Sequence, residues 1–355
     1  MKTTKVLLTG ATGLLGSRIL KFLVFNTNVD IVLLIRGREG LSILDRGQQF
    51  VTHLLKQNIP FDKQVRRISI LRGDVSLPYL GLNNKIYNQL LQSTHQIFHC
   101  AALTKFNASA EALASCNIEG TKHFLKFVKQ CHVLKSGEYI SSIFIAGKHR
   151  GEFSEIDLDK GQRFNNLYEK SKFDAEIEVR RCVKEGFKIN VYRPSVIVGE
   201  YVDGSVINPG LLYQLFKLLK LGIYSNLPLS KESSINIIPC DIAAEIICRL
   251  SALQTKQSSV YHVVARKDFQ IEQLVEIACK FFLVKKPHLV KWEEYVVDGC
   301  TIVEKRIWES FLPYFRLRYK VNSNLSQKAL LKINSSLPIL KEDFILRVLK
   351  YMQIL

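Results

Sequence analysis

The string TGATGLLG at residues 9–16 constrains what this chain can fold into more than any other feature. It spaces Gly10, Gly13 and Gly16 three apart, directly after the apolar run Lys5–Thr9 and before a stretch of helical spacing, Leu14–Phe25. A strand that turns sharply into a helix needs glycine where the backbone bends and where another atom must approach without meeting a Cβ. The first turn of the helix leaves N–H groups unpaired and presents the positive end of its dipole, which suits a phosphate. A glycine turn of no special purpose would read the same. The placement at the first strand–helix junction of an alternating chain favours a dinucleotide cradle.

That alternation continues. Strand-like runs are expected at Lys5–Thr9, Ile31–Ile35, Arg67–Leu71, Gln96–Cys100, Glu138–Phe144 and Lys188–Tyr192. Helical patterns fall between them at Leu14–Phe25, Asn84–Gln92, Ala108–Gln130 and Leu167–Glu185. Strands alternating with helices predict an α/β fold with a doubly wound parallel sheet of the Rossmann type. The rhythm changes after Gly199. Asn208–Leu221 reads as a helix, Ser233–Pro239 as a strand leading into a helix from Asp241, and Ser259–Ala265 as a last sheet strand. Residues 1–199 are therefore expected to form the dinucleotide-binding domain, which the chain re-enters at about 235–265. Residues 200–355 are expected to form a smaller, mostly helical substrate lobe.

Eight scattered cysteines form no CxxC pair, so neither a zinc site nor a redox motif is indicated, and buried free thiols in a reducing, cytoplasmic setting are expected. No signal peptide or transmembrane run of roughly 20 apolar residues is seen. The formal charge is +18, and residues 1–150 contribute +12 through 20 Lys+Arg against 8 Asp+Glu. Such a field draws anions. The basic residues are dispersed and no nucleic-acid motif accompanies them, so a phosphorylated cofactor or an acidic partner is expected rather than a specific nucleic acid.

The end of the second strand selects the cofactor. An enzyme using NAD usually carries a carboxylate there for the ribose 2′-hydroxyl. This chain has Arg36 and Arg38, with Arg46 shortly after. Guanidinium groups suit a 2′-phosphate, so NADP(H) is the expected cofactor, although arginines merely solvating the surface would look alike. Asp74 and Val75 follow the third strand, where Asp74 would accept from the adenine amino group or else cap a turn. Ala101 and Ala102, after the fourth, leave room for a ribose.

Tyr168 and Lys172 lie four apart at the start of a helix, on one face. An ammonium beside the phenol would favour phenolate and fit the tyrosine for proton transfer near neutrality. Lys172 would also hold ribose hydroxyls. Upstream, the run ending the fifth strand offers the hydroxyl of Ser142. Asn117, on the preceding helix, would anchor a water or carbonyl near Lys172, or else face solvent.

Together TGATGLLG, GDV, HCAALT, NIEGT, YISSIFIAG, YEKSK and VYRPSVIVG resemble the extended short-chain dehydrogenase/reductases. The segments LLIRGREG, GDVSLPYLGL and SSIFIAG are most similar to the thioester reductase and fatty acyl-CoA reductase branch. The resemblance covers roughly residues 5–265, and the tail only in length and position. It implies that Gly10, Thr12, Gly13, Leu14 and Gly16 cradle the pyrophosphate, with Arg36 and Arg46 at the 2′-phosphate. It makes Ser142 the donor to the substrate carbonyl and Tyr168 and Lys172 the catalytic pair. It sets Pro194, Ser195 and Val196 beside the nicotinamide. The implied activity is NADPH-dependent reduction of an acyl thioester to an aldehyde, with alcohol as a further product. No phosphopantetheine attachment motif is present, so the thioester is expected on a separate acyl carrier protein or on coenzyme A. A nucleotide-sugar epimerase or dehydratase, another NAD(P)-dependent carbonyl oxidoreductase and a non-catalytic NADP-binding protein are the alternatives. Against them, Ser142 is followed by Ile143 and Phe144 rather than acids, and both Tyr168 and Lys172 are present.

Overall fold

The structure, a computed structural model, describes residues 3–37, 47, 49–52, 54, 65–222, 226–229, 232–253, 255–295 and 311–354. Strand β1 (Lys5–Thr9) places Val6, Leu7 and Leu8 in the interior. A continuous apolar run is what a parallel strand covered on both faces requires. It leads into α1 (Leu14–Asn26). The further strands are β2 (Asp30–Ile35), β3 (Ile68–Arg72), β4 (Gln96–His99), β5 (Ser136–Ile140), β6 (Ile189–Pro194) and β7 (Val260–Val263). They form one seven-stranded parallel sheet in the order β7-β6-β5-β4-β1-β2-β3. The expected Rossmann architecture is therefore present.

The register decides where function can sit. Thr9 lies opposite Leu34 and His99, His99 opposite Tyr139, and Ile140 opposite Tyr192. The carboxyl ends of the central strands thus share one edge. The strand order reverses between β1 and β4, which opens a crevice beyond their carboxyl ends.

Helices α2 (Asn84–Leu91), α3 (Ala110–Leu113), α4 (Gly120–Gln130) and α5 (Leu167–Lys184) belong with this sheet. Local chemistry sets their starts. Asn83 Oδ1 accepts from Ile86 N at 2.9 Å, and Asn166 Oδ1 accepts from Glu169 N at 3.0 Å. Such caps satisfy N–H groups that the first turn leaves open. The second of them fixes the turn that carries Tyr168. Leu7, Ile97, Phe124 and Phe127, all fully buried, belong to the core between sheet and helices. Truncating a phenylalanine of this kind to alanine costs about 3–5 kcal/mol.

Three elements differ from expectation. The fifth strand, predicted as Glu138–Phe144, ends at Ile140. Ser141 N still donates to Tyr192 O, but Ser142 Oγ accepts from Phe144 N and the chain turns into a 3-10 segment, Ile143–Ala146. The apolar letters Ile143 and Phe144 are buried in that turn, which is why they read as strand. The helix predicted as Ala108–Gln130 is broken by a π-helical segment, Ala114–Glu119, between α3 and α4. The strand predicted as Ser233–Pro239 is two short strands, Ser234–Ile235 and Ile237–Pro239.

The chain forms two compact units. The first comprises Met1–Ile145, Asn166–Arg193 and Ala244–Tyr261; the second comprises Ala146–Asn165, Pro194–Ala243 and His262–Leu355. In the second, α6 (Leu211–Lys220) packs on the helix Ile271–Phe282, which also meets the helix Glu342–Ile354. The strand Arg318–Val321 pairs with Arg150–Phe153, and buried Glu155 accepts from both Ser326 N and Ser326 Oγ at 2.9 Å. That carboxylate satisfies the first turn of the helix Asn324–Leu331 and so ties down the tail. All seven described cysteines are free thiols. No helix among the described residues is long and apolar enough to cross a membrane.

Candidate active site

Loops from the aligned strand ends build a site in the first unit. At Gly10 the backbone takes φ 72°, and a Cβ there would stand 2.5 Å from Ala101 N. Gly16 is as restricted, since its Cβ would meet Gly10 O at 2.2 Å. Gly13 N donates to Gly10 O at 3.0 Å, and Gly13 is the N-cap of α1. Among the described residues no side chain caps that helix start, and its first turn holds no acid. Thr12, Gly13 and Leu14 are partly exposed there. An uncapped helix start, approached closely by backbone at the reversal of strand order, fits the pyrophosphate of a dinucleotide.

Thr9 Oγ1 ties this loop to the next, accepting from Ala101 N at 3.3 Å and pairing with His99 Nδ1 at 3.0 Å. The His99 ring is 1% exposed and stacks on Phe124 at 4.8 Å. Burial first, then the nearby Lys172 ammonium, hold its pKa down at about 3. The folded chain therefore refuses a proton that the unfolded chain takes up below about 6.5. Stability is expected to fall as pH drops from about 6.5 toward 3, by up to about 1.4 kcal/mol per pH unit. Urea unfolding at several pH values measures this, and His99→Gln should flatten the slope; equal slopes would contradict it.

Arg36 follows β2 directly and is exposed, close enough to Cys116 to favour its thiolate. Arg38 and Arg46 lie outside the described residues. Asp74 is engaged locally: its Oδ1 accepts from Ser76 N at 2.9 Å and Ser76 Oγ at 2.7 Å. Its own N–H donates to Leu80 O at 2.8 Å, across a turn in which Tyr79 and Leu80 both adopt left-handed φ, 57° and 59°. Val75 is a core residue whose carbonyl pairs with His123. Ala101 and Ala102 are partly exposed at the end of β4.

Asn117 sits in the π segment and is 1% exposed. It does not face solvent. Oδ1 accepts from Leu103 N at 2.8 Å, while Nδ2 donates to Leu103 O at 3.0 Å and Ser171 Oγ at 2.9 Å. The π turn aims this amide at the loop after β4, and thereby pins that loop to α5. π turns of this sort recur at functional sites.

Ser142 and Tyr168 are brought together, and Lys172 lies one turn further along α5. Tyr168 is 8% exposed, its ring lies 5.5 Å from that of Phe106, and its hydroxyl is hydrogen-bonded to Ser142. Burial pushes the phenol up to about 12, against the Ser142 hydrogen bond, which lowers it. The ammonium does not hold it down. Lys172 Nζ instead donates to Ile140 O at 2.7 Å and Tyr139 OH at 3.2 Å, over the Tyr139 ring. Burial lowers the Lys172 ammonium to about 8, with the Glu176 carboxylate opposing that shift. At neutral pH the pair is a protonated phenol and a largely charged lysine, which suits donation rather than abstraction of a proton. Pro194, Ser195 and Val196 are described in the second unit, where Ser195 N donates to Val263 O and Val196 N to Asn236 O. Phe106, Tyr139, Ser141, Ser171, Glu176 and Arg193 were missed from the sequence; only Glu176, four after Lys172, carried a signal.

Comparison with known proteins bears on the family and the fold. The Male sterility protein family matches residues 8–247. A linear gramicidin synthase of Brevibacillus parabrevis is 27% identical over 304 residues, 83% of this chain and 6% of that protein. L-2-aminoadipate reductase of Schizosaccharomyces pombe is 25% identical over 82% of this chain and 22% of its own length. Fatty acyl-CoA reductase wat of Drosophila melanogaster is 23% identical over 86% of this chain and 63% of its own length. The chain thus spans less than two thirds of each of these relatives. Among solved structures, the terminal R domain of the myxalamid PKS-NRPS pathway superposes with a TM-score of 0.84 at 21% identity, covering 99% of this chain and 91% of that one. UDP-glucuronic acid 4-epimerase from Bacillus cereus superposes at 0.70 with 16% identity, covering 99% of both chains. These two likenesses speak for the fold alone. With two thirds of its length matched and its glycine cradle in place, the chain belongs to the Male sterility protein family of NAD(P)-dependent oxidoreductases.

Proposed function

We propose that this protein is an NADPH-dependent reductase of an acyl thioester carried on an acyl carrier protein or on coenzyme A, yielding an aldehyde. The observation that carries this reading is the hydrogen-bonded pair Ser142–Tyr168 with buried Lys172 one turn along α5, at the strand edge that also bears the glycine cradle. Gly10, Thr12, Gly13, Leu14 and Gly16 would hold the pyrophosphate, and Arg36 the 2′-phosphate, with Arg38 and Arg46 assigned to the same end. Asp74, Val75, Ala101, Ala102 and Asn117 would border the adenosine and ribose, and Pro194, Ser195 and Val196 the nicotinamide. When bound, the cofactor supplies the hydride.

The residues of this chain handle the carbonyl oxygen. The hydroxyls of Ser142 and Tyr168 would donate to it, stabilising negative charge as the carbonyl carbon becomes tetrahedral. Tyr168 then gives up its proton, and its hydrogen bond with Ser142 limits the cost of the phenolate. The tetrahedral hemithioacetal loses the thiol and leaves the aldehyde. Residues 200–355 would form the substrate lobe. Gramicidin synthase and fatty acyl-CoA reductase among the relatives support the thioester class.

The test is incubation of the purified protein with NADPH and acyl thioesters on carrier protein and on coenzyme A, following absorbance and identifying products by mass spectrometry. Aldehyde and free thiol in equal amounts are expected. Conversion of a nucleotide sugar without net NADPH oxidation would overturn the reading. Because the net charge is +18, an acidic carrier should be steered to the site. Raising salt from about 0.05 M to about 0.5 M is expected to lower kcat/KM for the carrier substrate much more than kcat. A neutral acyl-pantetheine should respond far less.

A further inference from the structure

Below Lys172 on α5 lies a charged arrangement that proton donation by Tyr168 does not itself use. Tyr168, Lys172, Glu176 and Arg180 follow one another at four-residue spacing, on one face of the helix. Glu176 is fully buried. Its Oε1 accepts from Arg193 Nη2 at 2.6 Å and its Oε2 from Ser141 Oγ at 2.5 Å, while Arg193 Nε lies 3.1 Å and 3.2 Å from the two oxygens. Arg193, at the end of β6, is also fully buried, and Arg180 Nε lies 4.0 Å from the same carboxylate. Isolating either charge in such a place is costly, so the pair holds together. Glu176 sits one helical turn beyond Lys172 on the same face of α5, and Ser141 ties it to the strand end that carries Ser142.

We infer that Glu176 is a positioning residue that keeps the Lys172 ammonium charged and fixes the strand end bearing Ser142, with Arg193 limiting how strongly it does so. The inference rests on the proposed role of Lys172 and Ser142. The groups facing Lys172 leave Glu176 as the carboxylate that matters. From β5 comes the Tyr139 hydroxyl, held protonated by burial, and from β4 comes His99, neutral at physiological pH. Cys100, just after β4, is a half-buried thiol that desolvation pushes up to about 12, and Cys116, from the π segment, is likewise raised by burial. On α5 itself Tyr168 is protonated. Burial drives Lys172 toward the neutral amine, and Glu176 is the strongest influence opposing it.

Two substitutions that break the same ion pair should therefore act in opposite directions. Glu176→Gln removes the attraction and leaves Arg193 to repel, so the Lys172 midpoint should fall by about one pH unit or more. Arg193→Gln leaves the carboxylate without its guanidinium, so the midpoint should rise. A merely structural pair would weaken the protein in both variants without moving the midpoint either way. The midpoint is read from the Nζ resonance of lysine-labelled protein without substrate, assigned by its loss in Lys172→Arg. It is read again from the alkaline limb of the pH profile of kcat for thioester reduction. Opposite shifts support the inference; an unmoved midpoint in either folded variant overturns it. Should neither variant fold, Glu176→Asp decides: it keeps both charges but withdraws the carboxylate by one methylene, so the midpoint should fall by a smaller amount, and no change overturns the inference. Shifts in the resonance with no thioester consumed would instead overturn the proposed function while leaving the role of Glu176 standing.

Discussion

Tyr168→Phe is expected to lower kcat for thioester reduction by at least about a hundredfold, the usual worth of a positioned proton donor. The phenyl ring still fills the place beside Phe106, where the wild-type ring lies at 5.5 Å, so the fold and NADPH affinity should be nearly unchanged. What is lost is the hydroxyl, which shares a hydrogen bond with Ser142. Ser142 then keeps only its local role, accepting from Phe144 N at 3.2 Å. Turnover followed by NADPH oxidation, together with a fluorescence titration of cofactor binding, checks both halves. Substantial activity in the variant would mean that another group supplies the proton.

Arg36→Asp should produce the second large effect, a loss of the preference for NADPH over NADH by roughly tenfold to a hundredfold. That range corresponds to one charge-assisted hydrogen bond replaced by a repulsion. Arg36 is exposed at the carboxyl end of β2, and β2 neighbours β1 in register, so the side chain stands at the edge that bears the glycine cradle. The variant should also accept NADH better, since a carboxylate there suits a ribose 2′-hydroxyl. Binding titrations of wild type and variant with both cofactors decide it. Equal affinities in the wild type would remove the basis for NADPH.

The candidate site was legible where chemistry depends on neighbours in the chain. Gly10, Gly13 and Gly16 are read from a stretch of only seven residues, and Tyr168 and Lys172 from a single turn of helix. Asn166 as cap of that helix belongs to the same class. The predicted effect of Lys172 on Tyr168 failed because spacing gives the face of a helix but not the direction of a flexible amine. Ile140 O and Tyr139 OH, from another strand, take the ammonium instead. For Asn117 the sequence left two alternatives, an anchor for a carbonyl or a solvent-facing amide; a π segment whose extra residue leaves no mark in apolar periodicity turns it inward onto the Leu103 backbone.

What the sequence determined by itself was the alternation of strand and helix, the first glycine turn and the face of α5 shared by Tyr168 and Lys172, because each rests on interactions within a few residues. Only the tertiary structure decided which strand ends share an edge, since the order β7-β6-β5-β4-β1-β2-β3 depends on long-range pairing. The ion pair Glu176–Arg193 is of the same kind. Its members are 17 residues apart on a helix and a strand. Burial alone makes their charges count, by removing the water that would otherwise screen them.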